Sequence, residues 1–419
     1  MTRRTIASLA AVGLAFAAAH PAAQPPSADR IAGLLQDPAI GAARQFVAQH
    51  EARVIEDQVE LTEIPAPEFQ EAARAAAVKR KFEALGLANV RIDRVGNVIG
   101  ERPGSSPRPN VVLAAHLDTV FPEGTPVGVA RDGTVLKAPG IGDDGRGLGV
   151  LLGVVRALNE ARVRTPGTIT VVADVGEEGL GDLRGMRELF GATLKGQVDT
   201  FVSIDGTGHG ITNVGVGSHR YRVTFHGPGG HSFGAFGLVN PIHGLGRALA
   251  KIADFRVPSD PKVTFNVGRI GGGTSVNSIA AEAWFEIDMR SSDPVALASI
   301  DASFQRAVDE AVREETERWN RGRLTVTKDL VGARPAGQTA PAAPIVRTAI
   351  EVNRALGLPA DLGEGSTDAN LPMSLGIPAI TVGGGGLGRD AHSPAESFDT
   401  AGSEKGTDRV LVLILALAR

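Results

Sequence analysis

Five short segments each place an ionisable residue at or just past the end of an apolar, strand-like run. They are His116 and Asp118 in VVLAAHLDTV, Asp143 in GIGDDGRG, Glu177 and Glu178 in VVADVGEEG, Asp205 in FVSIDG, and His392 in GRDAHSPAE. Imidazoles and carboxylates in this mixture suit two borderline-hard divalent ions, with one carboxylate left over as a base. In open α/β sheets, ligands bind beyond the carboxyl ends of the strands, which is where these residues fall. Taken singly, a His after a strand is usually structural, and an Asp in a Gly-rich loop is usually turn chemistry. Five sheet-end segments that each supply a ligand-type residue point instead to a metal-dependent hydrolase.

The elements that must position these residues alternate. Residues 31–95 read as helices, ending with QEAARAAAVKRKFEALGL, and lead into the strand VRIDRVGNVIG. The strand VVLAA, the helix LGVLLGVVRALNEARV, the strand TITVVADV, the helical stretch LRGMRELF and the strand TFVSID then follow. Strands alternating with helices predict an α/β fold with a mostly parallel sheet sandwiched by helices. Near 214 the pattern changes. HRYRVTFHG, KVTFNVGRI and AEAWFEIDMRS alternate as strands around the helix NPIHGLGRALAKIADF, and a long helix over 293–319 follows. That is the pattern of a smaller α+β unit with one exposed sheet face. The α/β pattern resumes from about 330 with PIVRTAIEVNRALGL, PAITVGG, His392 and a final helix. The expected organisation is therefore a catalytic domain over 31–213 and 331–419, with an inserted unit at 214–330.

The chain has 419 residues, enough for two or three domains, and the hydrophobic and charged fractions, 42% and 21%, of a soluble globular protein. A net charge of −4 and the lack of a dense basic run argue against a nucleic-acid partner. MTRRTIASLAAVGLAFAAAHPAAQ has Arg3 and Arg4, an apolar stretch and small residues suited to cleavage, so residues 1–23 read as a signal peptide for periplasmic or secreted delivery. The apolar end RVLVLILALAR is too short for a membrane span and reads as a buried helix. The chain contains no Cys, so cysteine usage neither supports nor opposes export.

HLD, GIGDD, GEE, IDG, GPGGHS and a late His, in that order, resemble the cocatalytic dizinc peptidases and deacylases. That family includes peptidase T, carboxypeptidase G, aminoacylase and succinyl-diaminopimelate desuccinylase, and the likeness covers nearly all of the chain beyond its signal. The resemblance implies that His116 and Asp205 bind one metal, Glu178 and His392 the other, and that Asp143 bridges them. It implies that the Asp118 carboxylate hydrogen-bonds the free imidazole nitrogen of His116 and fixes its tautomer. Glu177 would not ligate; it would take a proton from a metal-activated water and return it to the leaving amine. Zinc fits such mixed N/O ligation, with Mn or Co as substitutes. The chain departs from the family habit of a Lys after the Asp pair, since Gly145-Arg146 follow Asp144.

On the substrate side, the resemblance implies that His231 in GPGGHS reaches an active site, often the partner subunit's, and stabilises the oxyanion. The bland reading is a surface His in a flexible turn. Asn277 in GGGTSVNS and Arg290 in DMRS are candidate substrate-binding residues; Arg290 could hold a carboxylate or be an interdomain charge. Ser366, Thr367 and Asp368 in GEGSTDAN look like a loop near the active site, or a cap for the next helix. GGGG at 383–386 permits close backbone approach to a ligand. HRYRVTFHG has edge-strand character, which with the resemblance implies that the insert is a lid or dimerisation unit in a homodimer.

The leading functional expectation is a small-peptide peptidase of the aminopeptidase or tripeptidase kind, favoured by GEGLGDLRG and GEGSTDAN. An N-acyl amino-acid amidohydrolase or a carboxypeptidase could use the same metal core. The pocket discriminates: a free α-amine needs an acidic partner, and a terminal carboxylate needs Arg or Lys. A non-catalytic binding protein on the same fold would have lost ligands or the base, and none is lost here.

Overall fold

The computed structural model describes residues 28–419, so the expected signal peptide at 1–23 lies outside the described residues. Four strands form the heart of the molecule: Asn110–His116, Thr168–Asp174, Thr200–Ile204 and Ala379–Val382. Each is apolar and buried along almost its whole length, as a parallel strand covered on both faces must be. Thr168–Asp174, Asn110–His116, Thr200–Ile204 and Ala379–Val382 lie side by side in that order, all parallel. All four carboxyl ends therefore open on one edge, and His116, the segment after Asp174, Asp205 and the loop after Val382 emerge together.

Alternation along Asn110–His116 divides the interior into two cores. Val111, Leu113 and Ala115 join a cluster with Ile40, Leu61, Leu151, Val155 and the terminal helix, whereas Val112 and Ala114 face Met186, Leu189, Phe190 and Leu371. The terminal helix Glu404–Leu417 is buried from Val410 through Ala416, which accounts for its apolar run. Among the described residues, no helix is long and apolar enough to cross a membrane.

Five further strands widen the sheet to nine, all by antiparallel pairing except Leu362–Gly365, which runs parallel to Ile211–Gly215. The segment expected as one strand, VRIDRVGNVIG, is a hairpin of Ala88–Ile92 with Val98–Arg102. Asp93 makes the turn, its Oδ1 accepting from the N–H groups of Val95, Gly96 and Asn97, with Gly96 at φ 113. An Asx turn hidden inside an alternating apolar pattern escapes a reading by periodicity.

A separate four-stranded antiparallel sheet runs in the order Val263–Gly272, Glu282–Ser291, Gly217–His226, Thr325–Arg334. Alternate residues of Glu282–Ser291 are buried, and the helices Pro241–Ala253 and Pro294–Trp319 pack on that face through Leu245, Ile252, Phe304 and Val308. The expected edge strand HRYRVTFHG is in fact interior, paired on both sides by Glu282–Ser291 and Thr325–Arg334. Its polar alternation reflects a solvated sheet face, not an open edge. The edges are Val263–Gly272 and Thr325–Arg334.

A third small sheet orients His392. Leu387–Arg389 and Ser397–Asp399 pair antiparallel, with Ser397–Asp399 held in turn by Val135–Lys137, so His392 lies in the loop of a supported hairpin. The glycines at 383–386 do admit a close approach, but of the chain to itself. A side chain at Gly383 would collide with the Thr207 carbonyl, and one at Gly385 with the backbone of Gly406. The loop is squeezed against the terminal helix rather than reserved for a ligand.

Arg146, at the position where the family habit places Lys nearby, is fully buried. It donates to Glu51 Oε1 at 2.7 Å, to the Gly384 carbonyl at 2.8 Å and to the Ser403 carbonyl at 2.7 Å, while Ser403 and Thr407 fill the remaining Glu51 acceptors. This network ties the start of the helix Gly145–Glu160 to the loop that leads to His392. Truncation of one partner leaves the other charge buried and uncompensated, at a cost of about 3–5 kcal/mol. Arg146→Ala should lower the thermal midpoint strongly, and the double variant Glu51→Gln/Arg146→Met should recover part of it. A single variant as stable as the wild type by calorimetry would show that the network contributes little.

Candidate metal centre

Three sets of side chains converge at the carboxyl edge of the sheet. His116, Asp143 and Asp205 offer ligand atoms within 4.8 Å of one another, as do Asp143, Glu178 and His392, and also His116, Glu177 and Glu178. Asp143 joins the first two sets: Oδ1 is 2.9 Å from His116 Nε2 and Oδ2 is 2.9 Å from His392 Nε2. His392 Nε2 is also 3.1 Å from Glu178 Oε1. One carboxylate with an oxygen turned to each imidazole is the arrangement that two neighbouring divalent ions require, so the donor set fits a dinuclear centre. His392 has a left-handed backbone, φ 64, rare for a residue with a side chain and concentrated at functional sites.

Asp118 corrects one expectation. His116 Nδ1 donates to the main-chain carbonyl of Asp118 at 3.0 Å, and the carboxylate lies 3.9 Å away. The tautomer is fixed as expected, with Nε2 left for the centre, but by the backbone. The carboxylate instead accepts from the N–H groups of Gly176, Glu177 and Glu178, at 2.8, 3.2 and 2.8 Å, and so shapes the loop that presents both glutamates.

Two further carboxylates, overlooked in the sequence, act in the same way. Asp144 accepts from His116 N–H at 3.1 Å, Gly206 N–H at 3.3 Å and Gly147 N–H at 3.0 Å; it caps the helix Gly145–Glu160 and joins three ligand-bearing segments. Glu396 accepts from Gly140, Gly142 and Asp143 N–H groups at 2.9, 2.8 and 3.0 Å, locking the Asp143 loop to the hairpin that carries His392. The second Asp of GDD and a Glu four residues after the His were the available signals.

Glu177 is buried and meets Arg334, which donates to its Oε1 at 2.9 Å, to its carbonyl, and to Ser366 Oγ at 3.1 Å. Arg334 ends the strand Thr325–Arg334, so the second sheet supplies the partner of Glu177. Nothing in the sequence around GARP distinguishes this Arg from a surface one. Ser366 thus lies near the centre, whereas Thr367 hydrogen-bonds Thr381 and the Ala369 N–H, and Asp368 turns inward. Asp368 and Asp174 are both fully buried and meet each other, and no other residue donates to any of their four carboxyl oxygens. Asp174 is the register partner of His116. Burial pushes Asp174 up to about 7 and Asp368 well above the carboxylate range, so this pair retains protons near neutrality.

The other predicted residues lie apart. His231 is exposed on the two-residue strand Gly230–His231, paired with Ser278–Ile279, and its Nδ1 accepts from the Phe233 and Gly234 N–H groups at 3.3 Å. With Gly272, Gly273 and Thr274 it lines a cavity of about 690 Å³. Asn277 Oδ1 accepts from Ser275 Oγ at 2.6 Å beside it. Arg290 is occupied by Asp288, at 2.6 Å, which also accepts from Arg220. Among the described residues, no hydrogen bond or ion pair joins these three to the carboxylate cluster.

In the protein without metal, the cluster titrates abnormally. Burial, and then the Asp143 charge, push Asp205 up to about 7; burial raises Glu177 well above its usual range. His392 is pushed up to about 10 by hydrogen bonds to Asp143 and Glu178, while Asp143, despite burial, is held well below the carboxylate range by the two imidazoles. Each raised group binds its proton more tightly in the folded chain. Its contribution to stability is full below the unfolded value, about 4 for a carboxyl and 6.5 for His, and is lost as pH rises through the folded value. Metal-free protein should therefore lose stability from pH 5 to pH 8, and saturating zinc should flatten or reverse that slope. Equal slopes with and without zinc in thermal unfolding would show that no ion meets these groups.

The residues from 112 to 416 match the model of peptidase family M20/M25/M40. The chain is 25% identical over 389 residues to the protein YqjE of Bacillus subtilis, across 88% of this chain and 100% of that one. It is 26% identical to an acetylornithine deacetylase of Klebsiella pneumoniae, across 69% of this chain and 76% of that one. The crystal structure of a tripeptidase from Staphylococcus aureus superposes with a TM-score of 0.73 at 25% identity, across 88% of this chain and 99% of that one. A family match over most of the chain, on a sheet edge that gathers two imidazoles and their carboxylates, shows that the chain belongs to peptidase family M20/M25/M40 and is a dinuclear metallohydrolase.

Proposed function

We propose that this chain is an exported zinc peptidase that cleaves small peptides in the manner of an aminopeptidase or tripeptidase. The observation that carries the mechanism is the placement of Glu177 against both metal sets, buried and fixed by Arg334. The likeness to the tripeptidase structure supports the peptide substrate, and the Arg-Arg, apolar, small-residue start of the chain supports export.

His116 and Asp205 would hold one ion, Glu178 and His392 the other, and Asp143 would bridge them. Bound zinc at these positions would bring a water toward neutral pKa and polarise the scissile carbonyl. Arg334 occupies Glu177 Oε1, which leaves Oε2 for the proton of the attacking water. Burial raises the affinity of Glu177 for that proton, so the carboxyl can hold it and then deliver it to the leaving amine. Asp118 and Asp144 keep the ligand-bearing loops in place through their main-chain acceptor sites.

His231 would stabilise the oxyanion of a second copy. Its exposure, beside the solvent-facing Phe233 and Phe236, supports delivery to a partner rather than to its own centre. Asn277 stands on the same face. Arg290 is proposed to bind substrate only if Asp288 releases it.

Glu177→Gln should reduce kcat on a tripeptide by about 10²–10⁴-fold while retaining both metal ions. Loss of metal in that variant would make Glu177 a ligand. An assay panel of tripeptides and N-acyl amino acids tests the substrate; turnover confined to the N-acyl compounds would favour the deacylase reading that the acetylornithine deacetylase likeness supports.

His231→Ala should lower kcat more than it raises KM, by about 10²–10³-fold. If His231 acts in trans, mixing His231→Ala with Glu177→Gln protein should restore activity, because a mixed dimer holds one intact site. No restoration after subunit exchange, or a monomeric mass with full activity, would confine His231 to its own chain or to an ordinary turn.

A further inference from the structure

The turn between the helices Pro38–Thr62 and Ala72–Ala84 runs along the edge of the metal centre. Thr119 N–H donates to the Ala66 carbonyl at 3.0 Å and Pro67 bridges Thr119, so the turn is pinned one residue beyond Asp118. From it, Glu68 extends over the loop that follows Glu178. Leu180 N–H donates to Glu68 Oε2 at 3.1 Å, and a side chain at Gly179 would collide with Oε1, so the carboxylate covers that glycine closely.

This carboxylate is half-buried, yet among the described residues no cationic side chain forms an ion pair with it. Arg184 and Arg220, the nearby guanidinium groups, are engaged by Glu71 and by Asp288 with the Gly179 carbonyl. Partly exposed, with both nearby guanidinium groups engaged elsewhere, the carboxylate has acceptor capacity left for a cation from solvent. The Leu180 side chain, on the residue whose N–H it accepts from, stands in solvent at 55% exposure, whereas the Phe69 ring turns to the Arg184 guanidinium, 4.8 Å over it. An ammonium with an adjacent apolar side chain matches all of these features. The N-terminal residue of a peptide has both, and an N-acyl amino acid has no ammonium at that end.

We infer that Glu68 is a specificity-determining residue that binds the free α-ammonium of a peptide substrate, with Leu180 against the first side chain. The inference rests on the peptidase reading and would make the enzyme an aminopeptidase. Position supports it further: Glu68 lies beside the segment of Glu178, so an amine held there leaves the following peptide bond near the centre.

The test compares Leu-Gly-Gly, N-acetyl-Leu-Gly-Gly and N-acetyl-Lys-Gly-Gly as substrates of zinc-loaded wild type, Glu68→Gln and Glu68→Asp. Metal content and thermal midpoint report whether each variant is folded. The wild type should prefer Leu-Gly-Gly to its acetylated form. Glu68→Gln should reduce that kcat/KM ratio by about 10–100-fold, the effect expected of one charged hydrogen bond, mainly through KM, and Glu68→Asp should restore part of it. An unchanged ratio in Glu68→Gln, with peptides still cleaved, would overturn the role of Glu68 and leave the peptidase reading intact. A Glu68-dependent preference for the acetyl-lysyl peptide over the acetyl-leucyl one would assign the carboxylate to a side-chain ammonium instead and overturn the α-amine role. Failure of the wild type to cleave any of the three would overturn both readings.

Discussion

An excess of carboxylates in a small volume is the constraint on which the rest of this structure depends. Asp118, Asp143, Asp144, Asp174, Glu177, Glu178, Asp205 and Asp368 crowd one edge of a sheet, with Arg334 and two imidazoles as the facing cations. Removing that many charges from water is costly unless each is paired or neutralised. Without ions, protons make up the deficit, which is why Asp174 and Asp205 are pushed up to about 7. Two divalent cations make up the same deficit without consuming the base. Metal binding and the stability of this edge are thus aspects of one electrostatic balance.

The carboxylates divide into two kinds by what fills their acceptor sites. Asp118, Asp144 and Glu396 each accept from three main-chain N–H groups and are thereby committed to the backbone. Asp143, Glu178 and Asp205 keep their oxygens toward the centre. The committed group sets the loops, and the open group binds what the loops surround. Such division lets a cluster of like charges be rigid before any ion arrives, since the repulsion is met by fixed peptide dipoles.

Much of this was legible in sequence. The parallel strands show as continuous apolar runs, the rule that ligands gather at their carboxyl ends brings the seven ionisable residues of these segments together, and the family resemblance implies which five of them, His116, Asp143, Glu178, Asp205 and His392, would bind metal. The binding groups are recognisable because their chemistry is carried by residue type. The supporting groups are not. Asp144 and Glu396 work through backbone N–H groups brought close only by the fold, and Arg334 is made functional by a register that leaves it at the end of a strand in the second sheet. The exchange of roles at Asp118 has the same origin: a residue two places from a His can offer its carbonyl or its carboxylate, and spacing does not choose. The strand HRYRVTFHG was misplaced because polar alternation marks a solvated face and says nothing of whether both edges are paired.

The second sheet is bound to the chemistry through a few polar contacts next to the glutamates. Arg334 meets Glu177, Arg220 donates to the Gly179 carbonyl, Ala333 N–H donates to Asp182 at 2.7 Å, and Arg187 reaches back to the Ala333 carbonyl at 2.9 Å. All four contacts fall on residues 177–187, the loop and helix that begin at Glu177. Loss of the Arg334 guanidinium would strip Glu177 of its cation, and a buried carboxyl without a cation favours its protonated form. A protonated Glu177 cannot accept a proton from water. The contact that orients Glu177 therefore makes its protonation state depend on the second sheet being in place.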